Sequence, residues 1–364
     1  MARETKRGRR PAGVIVLILA PTMTTHHFTR SKLILPEEFW EETDNPPEIK
    51  TLIHQRLAVA LQKGRIPWQV PLLIDPNAGR PCNVRTLGRY RGVNTLLLCD
   101  TFCTKGYHSK WWGTAEDWES VGATVKNGQR PTVIAHYPEI GYDIKPCQVY
   151  NVAQVKGADQ FRVAKRTDMV VPSEEVDYGY MGMMMEHHAP DIRFNSDKEQ
   201  EQQQLPIWNG KYFAPEPWHS FPKQNMGDFI LMKSENHFRS KSDFYSVMLH
   251  EFVHWAEVRT EWFHCLPVRE FVAEAGMHIL GMELGIPYFI DAYSHHTWLA
   301  HWKVIFPQDE TFFFWAMSQV DRVCDYLLGP VLHLEPEDYH DHYRIEPEIN
   351  HLNGPDMMSF QEVL

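Results

Sequence analysis

The pentapeptide His250-Glu251-Phe252-Val253-His254 constrains this chain more than any other feature. On a helix, residues four apart project from the same face, so both imidazoles can reach one metal ion. Glu251 sits beside them, placed to hold a water rather than to bind the ion. A zinc ion there polarises the water and lowers its pKa towards neutral. Glu251 then takes its proton and later passes it to a leaving group. Tyr245, Val247, Met248, Phe252 and Val253 make the rest of the helix apolar, so the polar trio stands in a hydrophobic setting.

A catalytic zinc takes a third protein ligand and keeps one position open. The next helical stretch supplies carboxylates four apart, Glu270 and Glu274. One can ligate the metal while the other accepts a hydrogen bond from a ligand imidazole. Glu270 as ligand and Glu274 as its outer partner is the favoured order, and the reverse is the alternative. Ala273, Ala275 and Gly276 are small enough to let this helix approach the first. His264 and His278 are nearby competitors that read more simply as surface or core histidines. Tyr245, Tyr288, Tyr293, His295 and His296 are candidates for stabilising an oxyanion, and nothing in the sequence chooses among them. His340-Asp341-His342 reads as part of a solvated tail.

Around this core the 364 residues divide unevenly. Residues 46–165 carry a net charge of +7 and residues 166–364 a net charge of −19. A polyanion would meet attraction on the first segment and repulsion on the second. The expected organisation is an N-terminal tail over 1–45, a mixed α/β domain over 46–165, and a linker or insertion over 166–205. A largely helical domain with a small sheet follows over 206–330, then an acidic tail over 331–364. The fold class is therefore α+β. The tail's basic start and the apolar Gly13–Ala20 imitate a secretory signal, but no small-x-small cleavage site follows. A tail, or a true start at Met23, is the simpler reading. No apolar run approaches the ~18 to 20 residues that span a bilayer. Six scattered cysteines without a CxxC pair suit reduced thiols in the cytoplasm.

Helical spacing runs through Pro46–Gly64, and Thr114–Val121 reads as a short helix with a Thr cap. Asn94–Phe102 suits a helix or a buried strand, and Thr132–Tyr137 and Cys147–Val152 suit strands. Met183–Met185 reads as part of a loop. Gly210–Ala214 and Asp228–Met232 are strand-like. Helices are expected over Ser242–Val258, capped by Ser242 or Asp243, then over Arg269–Leu284, Thr297–Phe306 and Glu310–Leu328.

The basic segment interleaves cations with aromatics. Arg85, Arg89 and Arg91 surround Tyr90, with Asn94 close behind; Trp68 lies beside Lys63 and Arg65; Lys126 to Arg130 forms a basic turn. Single-stranded nucleic acid is gripped in this way, by cations on phosphates and aromatics against bases. No helix-turn-helix or zinc finger for groove reading is visible.

With these residues in hand, the chain resembles the antirestriction protein ArdC family. Its first part does so in Ile66-Pro67-Trp68, in Arg89-Tyr90-Arg91-Gly92-Val93-Asn94, in Lys126–Arg130 and in Val149–Val155. Its second does so in Asp191-Ile192-Arg193, Tyr212-Phe213, Tyr245–Trp255, Glu270–Gly276, and Trp298 with Asp309 and Ala316. The resemblance implies a single-stranded-DNA-binding domain joined to a zincin-like metallopeptidase domain. It makes His250, His254 and Glu270 zinc ligands and Glu251 the base. The chain departs from the pattern after Trp255, where the usual Gly-His is missing, and in residues 166–205, which look inserted. The implied role is protection of incoming phage or plasmid DNA against host restriction, and the resemblance identifies no substrate for the peptidase site. The favoured reading is a peptidase acting on a DNA-associated protein, such as a nuclease. The alternative is a DNA-protecting module with a structural or vestigial zinc site. A peptidase with a protein-binding adaptor and no nucleic-acid role is a third reading.

Overall fold

The computed structural model describes residues 48–69, 75, 77–137, 144–163, 176–196, 209–214, 227–262, 264–287 and 292–332. The chain divides into Met1–Thr43, which lies outside the described residues, and Asp44–Leu364. The expectations at Gly13–Ala20, at Met23 and at His340–His342 therefore fall outside the described residues.

The fold is α+β. Helix α1 (Ile49–Gln62) leads into strand β1 (Cys82–Asn83) and helix α2 (Val93–Lys105). Strand β2 (Trp111–Gly113), helix α3 (Ala115–Ser120) and strands β3 (Thr124–Val125), β4 (Thr132–His136), β5 (Lys145–Asn151) and β6 (Val155–Lys156) follow. The main sheet has the order β1-β2-β5-β4, parallel at β1/β2 and antiparallel elsewhere. The sequence left Asn94–Phe102 open between helix and strand. It is a helix, buried nearly all round, and Gly106 closes it at φ 66°. Thr114 caps α3 in a reciprocal arrangement with Asp117.

Residues 176–196 hold regular structure where a loop was expected. Helix α4 (Gly179–His188) buries Met181 and Met184, and strand β7 (Ile192–Phe194) follows. The run of methionines hid a helical spacing of three, with flexible apolar side chains packed where this helix meets the helix Phe312–Leu332.

β3 and β6 pair antiparallel as a separate two-stranded sheet. Strands β8 (Gly210–Phe213) and β9 (Phe229–Met232) complete a three-stranded sheet of order β7-β9-β8. β9 runs parallel to β7 and antiparallel to β8, with Tyr212 opposite Ile230. Four long helices follow: α5 (Lys241–Arg259), α6 (Leu266–Leu284), α7 (Ala292–Ile305) and α8 (Phe312–Leu332). The cap of α5 is Ser240, whose hydroxyl accepts from the Asp243 N–H at 3.0 Å. Ser242, expected in that role, is buried with its hydroxyl 2.8 Å from Tyr178 Oη. α6 starts at Leu266, with Pro267 in its first turn, where a missing N–H is harmless. It ends at Gly285 with φ 70°.

One hydrophobic core joins the basic and acidic segments. Trp68 meets the Phe271 ring edge-on at 4.8 Å and Trp302 at 5.5 Å. The join is also ionic. Arg80 Nη2 lies 2.7 Å from Asp321 Oδ1, and both side chains are almost fully buried. All six cysteines are free thiols. Among the described residues no helix is long and apolar enough to cross a membrane.

Candidate metal centre

Two helices build the site. α5 carries His250, Glu251, His254 and Glu257 on its buried side, and α6 carries Arg269, Glu270 and Glu274. The helices meet closely because Gly276 faces Val253, and a Cβ there would stand 2.9 Å from Val253 Cγ2. That close approach brings the carboxylates of α6 up to the imidazoles of α5.

His250, His254 and Glu270 each present a ligand atom, and these atoms all lie within 4.8 Å of one another. Glu270 Oε2 is 3.5 Å from His250 Nε2, and Glu270 Oε1 is 3.6 Å from His254 Nε2. Two donors about 2.1 Å from one tetrahedral ion stand roughly 3.4 Å apart. Two imidazoles and a carboxylate are also the donor chemistry of a catalytic zinc site. The donor chemistry and the two Glu270–imidazole distances therefore suit a divalent cation.

The electrostatics point the same way. Burial opposes a charged His250, but the Glu270 and Glu274 carboxylates outweigh it and hold its pKa well above the usual imidazole range. Burial likewise opposes charge on His254, yet Glu257 and Glu270 raise its pKa. Burial would push Glu270 up, but its hydrogen bonds to His250 and His254 hold it well below the usual carboxylate range. The pocket is organised to be filled by positive charge, carried by protons or by a metal.

Each imidazole has an outer carboxylate. Glu274 Oε1 lies 3.4 Å from His250 Nδ1. Glu257 Oε1 lies 3.1 Å from His254 Nδ1, and Arg269 Nε donates to Glu257 Oε2 at 2.7 Å. Glu257 and Arg269 were missed in the sequence. The signal was there: a carboxylate three residues after the second histidine falls on the same helix face. Also missed was the backbone N–H of Tyr212, which donates to Glu251 Oε2 at 2.7 Å. Strand β8 is thus fastened to the glutamate of the motif. Its register is held by Tyr212 Oη donating to Asp228 at 2.8 Å, with Arg259 also on Asp228.

The competing histidines lie elsewhere. His264 Nδ1 accepts from the Cys265 N–H at 2.8 Å and its ring packs on Trp315. His278 Nδ1 is 2.7 Å from the Glu274 carbonyl, on its own helix. Among the oxyanion candidates, Tyr245 stacks on Tyr178 at 4.9 Å beneath the Lys241 ammonium. Tyr288 and the side chains of Tyr293, His295 and His296 lie outside the described residues.

The expected nucleic-acid residues divide into two groups. Trp68 is 1% exposed and Asn94 is buried, its amide exchanging two hydrogen bonds with the Ala135 backbone. As folded, neither offers a face to a base, which departs from the expectation that they contact nucleic acid. Their aromatic and amide groups are used in packing and in joining α2 to β4. Arg89 pairs with Glu283, Arg91 with Asp325 and Asp321, and Tyr90 is half-buried with its hydroxyl near Asn83. Lys126 Nζ donates to the Ala153 carbonyl at 2.8 Å. Arg85 and Arg130 are exposed, Arg85 having Asp117 at 3.8 Å.

Residues 47–212 match the N-terminal domain of anti-restriction factor ArdC, and residues 222–319 match a zincin-like metallopeptidase. The chain joins an ArdC-type N-terminal domain to a zincin-like metallopeptidase domain. It is 23% identical over 319 residues to the uncharacterized protein y4eC of Sinorhizobium fredii, covering 78% of this chain and 94% of that one. It is 23% identical over 297 residues to the DNA primase TraC of Escherichia coli, covering 76% of this chain. It spans only 20% of TraC. Among solved structures, the Mn(II)-bound antirestriction ArdC protein of plasmid R388 is similar at a TM-score of 0.56 and 20% identity, covering 79% of this chain and 100% of that one. Its metal-free form gives 0.54. At such identity this chain shares their fold, and its chemistry has to be argued from its own residues.

Proposed function

We propose that this chain is a zinc-dependent peptidase tethered to single-stranded DNA, acting in the cytoplasm to protect incoming phage or plasmid DNA. The observation that carries the reading is the convergence of His250, His254 and Glu270, whose donor atoms lie within 4.8 Å. Bound by these three, a zinc ion supplies Lewis acidity and lowers the pKa of a water towards neutral. Glu251 acts beside it. With Oε2 fixed by the Tyr212 N–H, Oε1 takes the water's proton and delivers it to the departing amine. Glu274 and Glu257 hold the two imidazoles in place from behind.

The DNA part of the reading rests on the family match over residues 47–212 and on the net charge of +7 in residues 46–165. Its contacts are assigned to Arg85, Lys126 and Arg130, with Arg89, Tyr90 and Arg91 along the same stretch. The substrate class that follows is a protein bound to the same strand, a nuclease among them. A second reading, a DNA-protecting module with a structural zinc, is favoured by the pairing of Arg89 and Arg91 with the acidic helices, which engages these cations within the fold.

The deciding experiment compares wild type, His250→Ala, Glu270→Ala and Glu251→Gln for zinc content and for protection of transferred DNA. The peptidase reading expects about one zinc per chain in wild type and Glu251→Gln, its loss in the other two, and loss of protection in all three variants. Full protection by Glu251→Gln would replace it with the structural-zinc module.

A further inference from the structure

Glu257 and Arg269 belong to neither of the motif's expected roles, yet they form a buried chain that ends on a metal-binding imidazole. Glu257 sits three residues beyond His254 on α5 and is 1% exposed. One carboxylate oxygen faces His254 Nδ1 at 3.1 Å; the other accepts from Arg269 Nε at 2.7 Å. Arg269 immediately precedes the third donor, Glu270, on α6. The chain therefore crosses the interface between the two helices that must come together to make the site.

We infer that Arg269–Glu257 is a positioning pair that fixes the tautomer and orientation of His254 for metal binding. The inference rests on the metal centre proposed above. A neutral imidazole can carry its proton on either ring nitrogen, and only the nitrogen without the proton can ligate. Glu257 is an acceptor at both oxygens. Facing Nδ1, it selects the form with hydrogen on Nδ1 and a free lone pair on Nε2, the atom that lies 3.6 Å from Glu270. The guanidinium on the other oxygen keeps the carboxylate from turning away and offsets its charge. His250 has a comparable carboxylate in Glu274, but there the distance is 3.4 Å. The two imidazoles are thus braced unequally, and His254 is the more firmly held.

Glutamine at 257 exposes this role. Its amide has one acceptor and one donor end. Arg269 offers only hydrogens, so the amide oxygen turns to it and the NH2 faces His254 Nδ1. That forces Nδ1 to accept and moves the ring proton to Nε2, where the metal must bind. Removing the guanidinium frees the amide to turn its oxygen back to His254. A purely structural pair would leave the tautomer of His254 unchanged in every variant, with the ring proton staying on Nδ1.

The test measures zinc affinity of the full chain by chelator competition in wild type, Glu257→Gln, Arg269→Met and the double variant. The expectation is a loss of about 10- to 100-fold in Glu257→Gln, and tighter binding in the double variant than in Glu257→Gln alone. Wild-type affinity in folded Glu257→Gln, or a double variant weaker than both single ones, would overturn the assignment. Should Glu257→Gln fail to fold, proton-detected nitrogen spectra of the zinc-loaded wild type decide the matter. A ring proton of His254 on Nδ1 supports the pair, and one on Nε2 overturns it. A wild type that binds no zinc would instead remove the metal centre itself.

Discussion

The backbone N–H of Tyr212 donates to Glu251 Oε2 at 2.7 Å, so the edge strand β8 is hydrogen-bonded to the glutamate of the HExxH motif. The contact is close because Gly210, two residues earlier, lets the strand lie on α5. A Cβ at 210 would stand 2.7 Å from Val247 Cγ1, 2.8 Å from Met232 Sδ and 3.0 Å from Glu251 Cγ. Gly210→Ala should therefore lift β8 from the helix, destabilise the fold by about 1–3 kcal/mol, and lower activity while zinc content holds. Denaturant unfolding and metal analysis on the same preparation check both halves. Unchanged stability would show that the neighbouring side chains yield at little cost.

The placement of His264 sets a pH dependence. Burial pushes its pKa down to about 4, against an ordinary 6.5. Its Nδ1 already accepts from the Cys265 N–H, which also favours the neutral ring. Above pH 6.5 the ring is neutral both folded and unfolded, and contributes nothing to the slope. As pH falls from 6.5 towards 4 the unfolded chain takes up a proton that the folded one refuses, so stability is lost across that window. The loss between pH 7 and pH 5 should be about 1–2 kcal/mol. His264→Gln should flatten that part of the profile, as followed by urea unfolding at the two pH values.

The convergence of the candidate site's side chains was legible because its logic is local. His250 and His254 lie one turn apart, and Glu270 and Glu274 share a face of the next helix, so spacing alone brought out all four. Glu257 was equally local but has no motif to advertise it. The Tyr212 contact was not legible at all, since it depends on a backbone amide 39 residues from Glu251. The same limit explains Trp68 and Asn94. An aromatic beside lysines reads as a nucleic-acid contact until the fold shows Phe271 and Trp302 closing over it. Helix α4 was missed for a different reason: methionines pack on either face, so the pattern carries little direction.

That burial makes a sharp prediction about the basic segment. Arg85→Ala and Arg130→Ala, both at exposed positions, should weaken binding of a single-stranded oligonucleotide and reduce the salt slope by about 0.7 each, with little change in stability. Trp68→Ala should do the reverse, costing about 3–5 kcal/mol of stability through the cavity it leaves. Binding titrations at two salt concentrations, run beside thermal unfolding, separate the two. A Trp68→Ala protein that is stable but no longer binds would mean that the tryptophan does reach the bases.

Arg80 and Asp321 should be the costliest ion pair to break. Their side chains are 2% and 3% exposed, and Asp321 also accepts from the Gly92 N–H at 2.6 Å. Arg80→Met leaves a buried carboxylate without its main counter-charge, and the expected loss is about 3–5 kcal/mol. Breaking Arg162–Asp159, where Asp159 is 90% exposed, should cost less than about 1 kcal/mol. Adding Asp321→Leu to Arg80→Met removes the stranded charge and should recover part of the loss, but not all. The Gly92 N–H then has no acceptor, and Arg91 loses one of its two carboxylates. Chemical denaturation of the single and double variants reads this directly. Full recovery in the double variant would show that the pair selects how the two segments dock without stabilising the docked form.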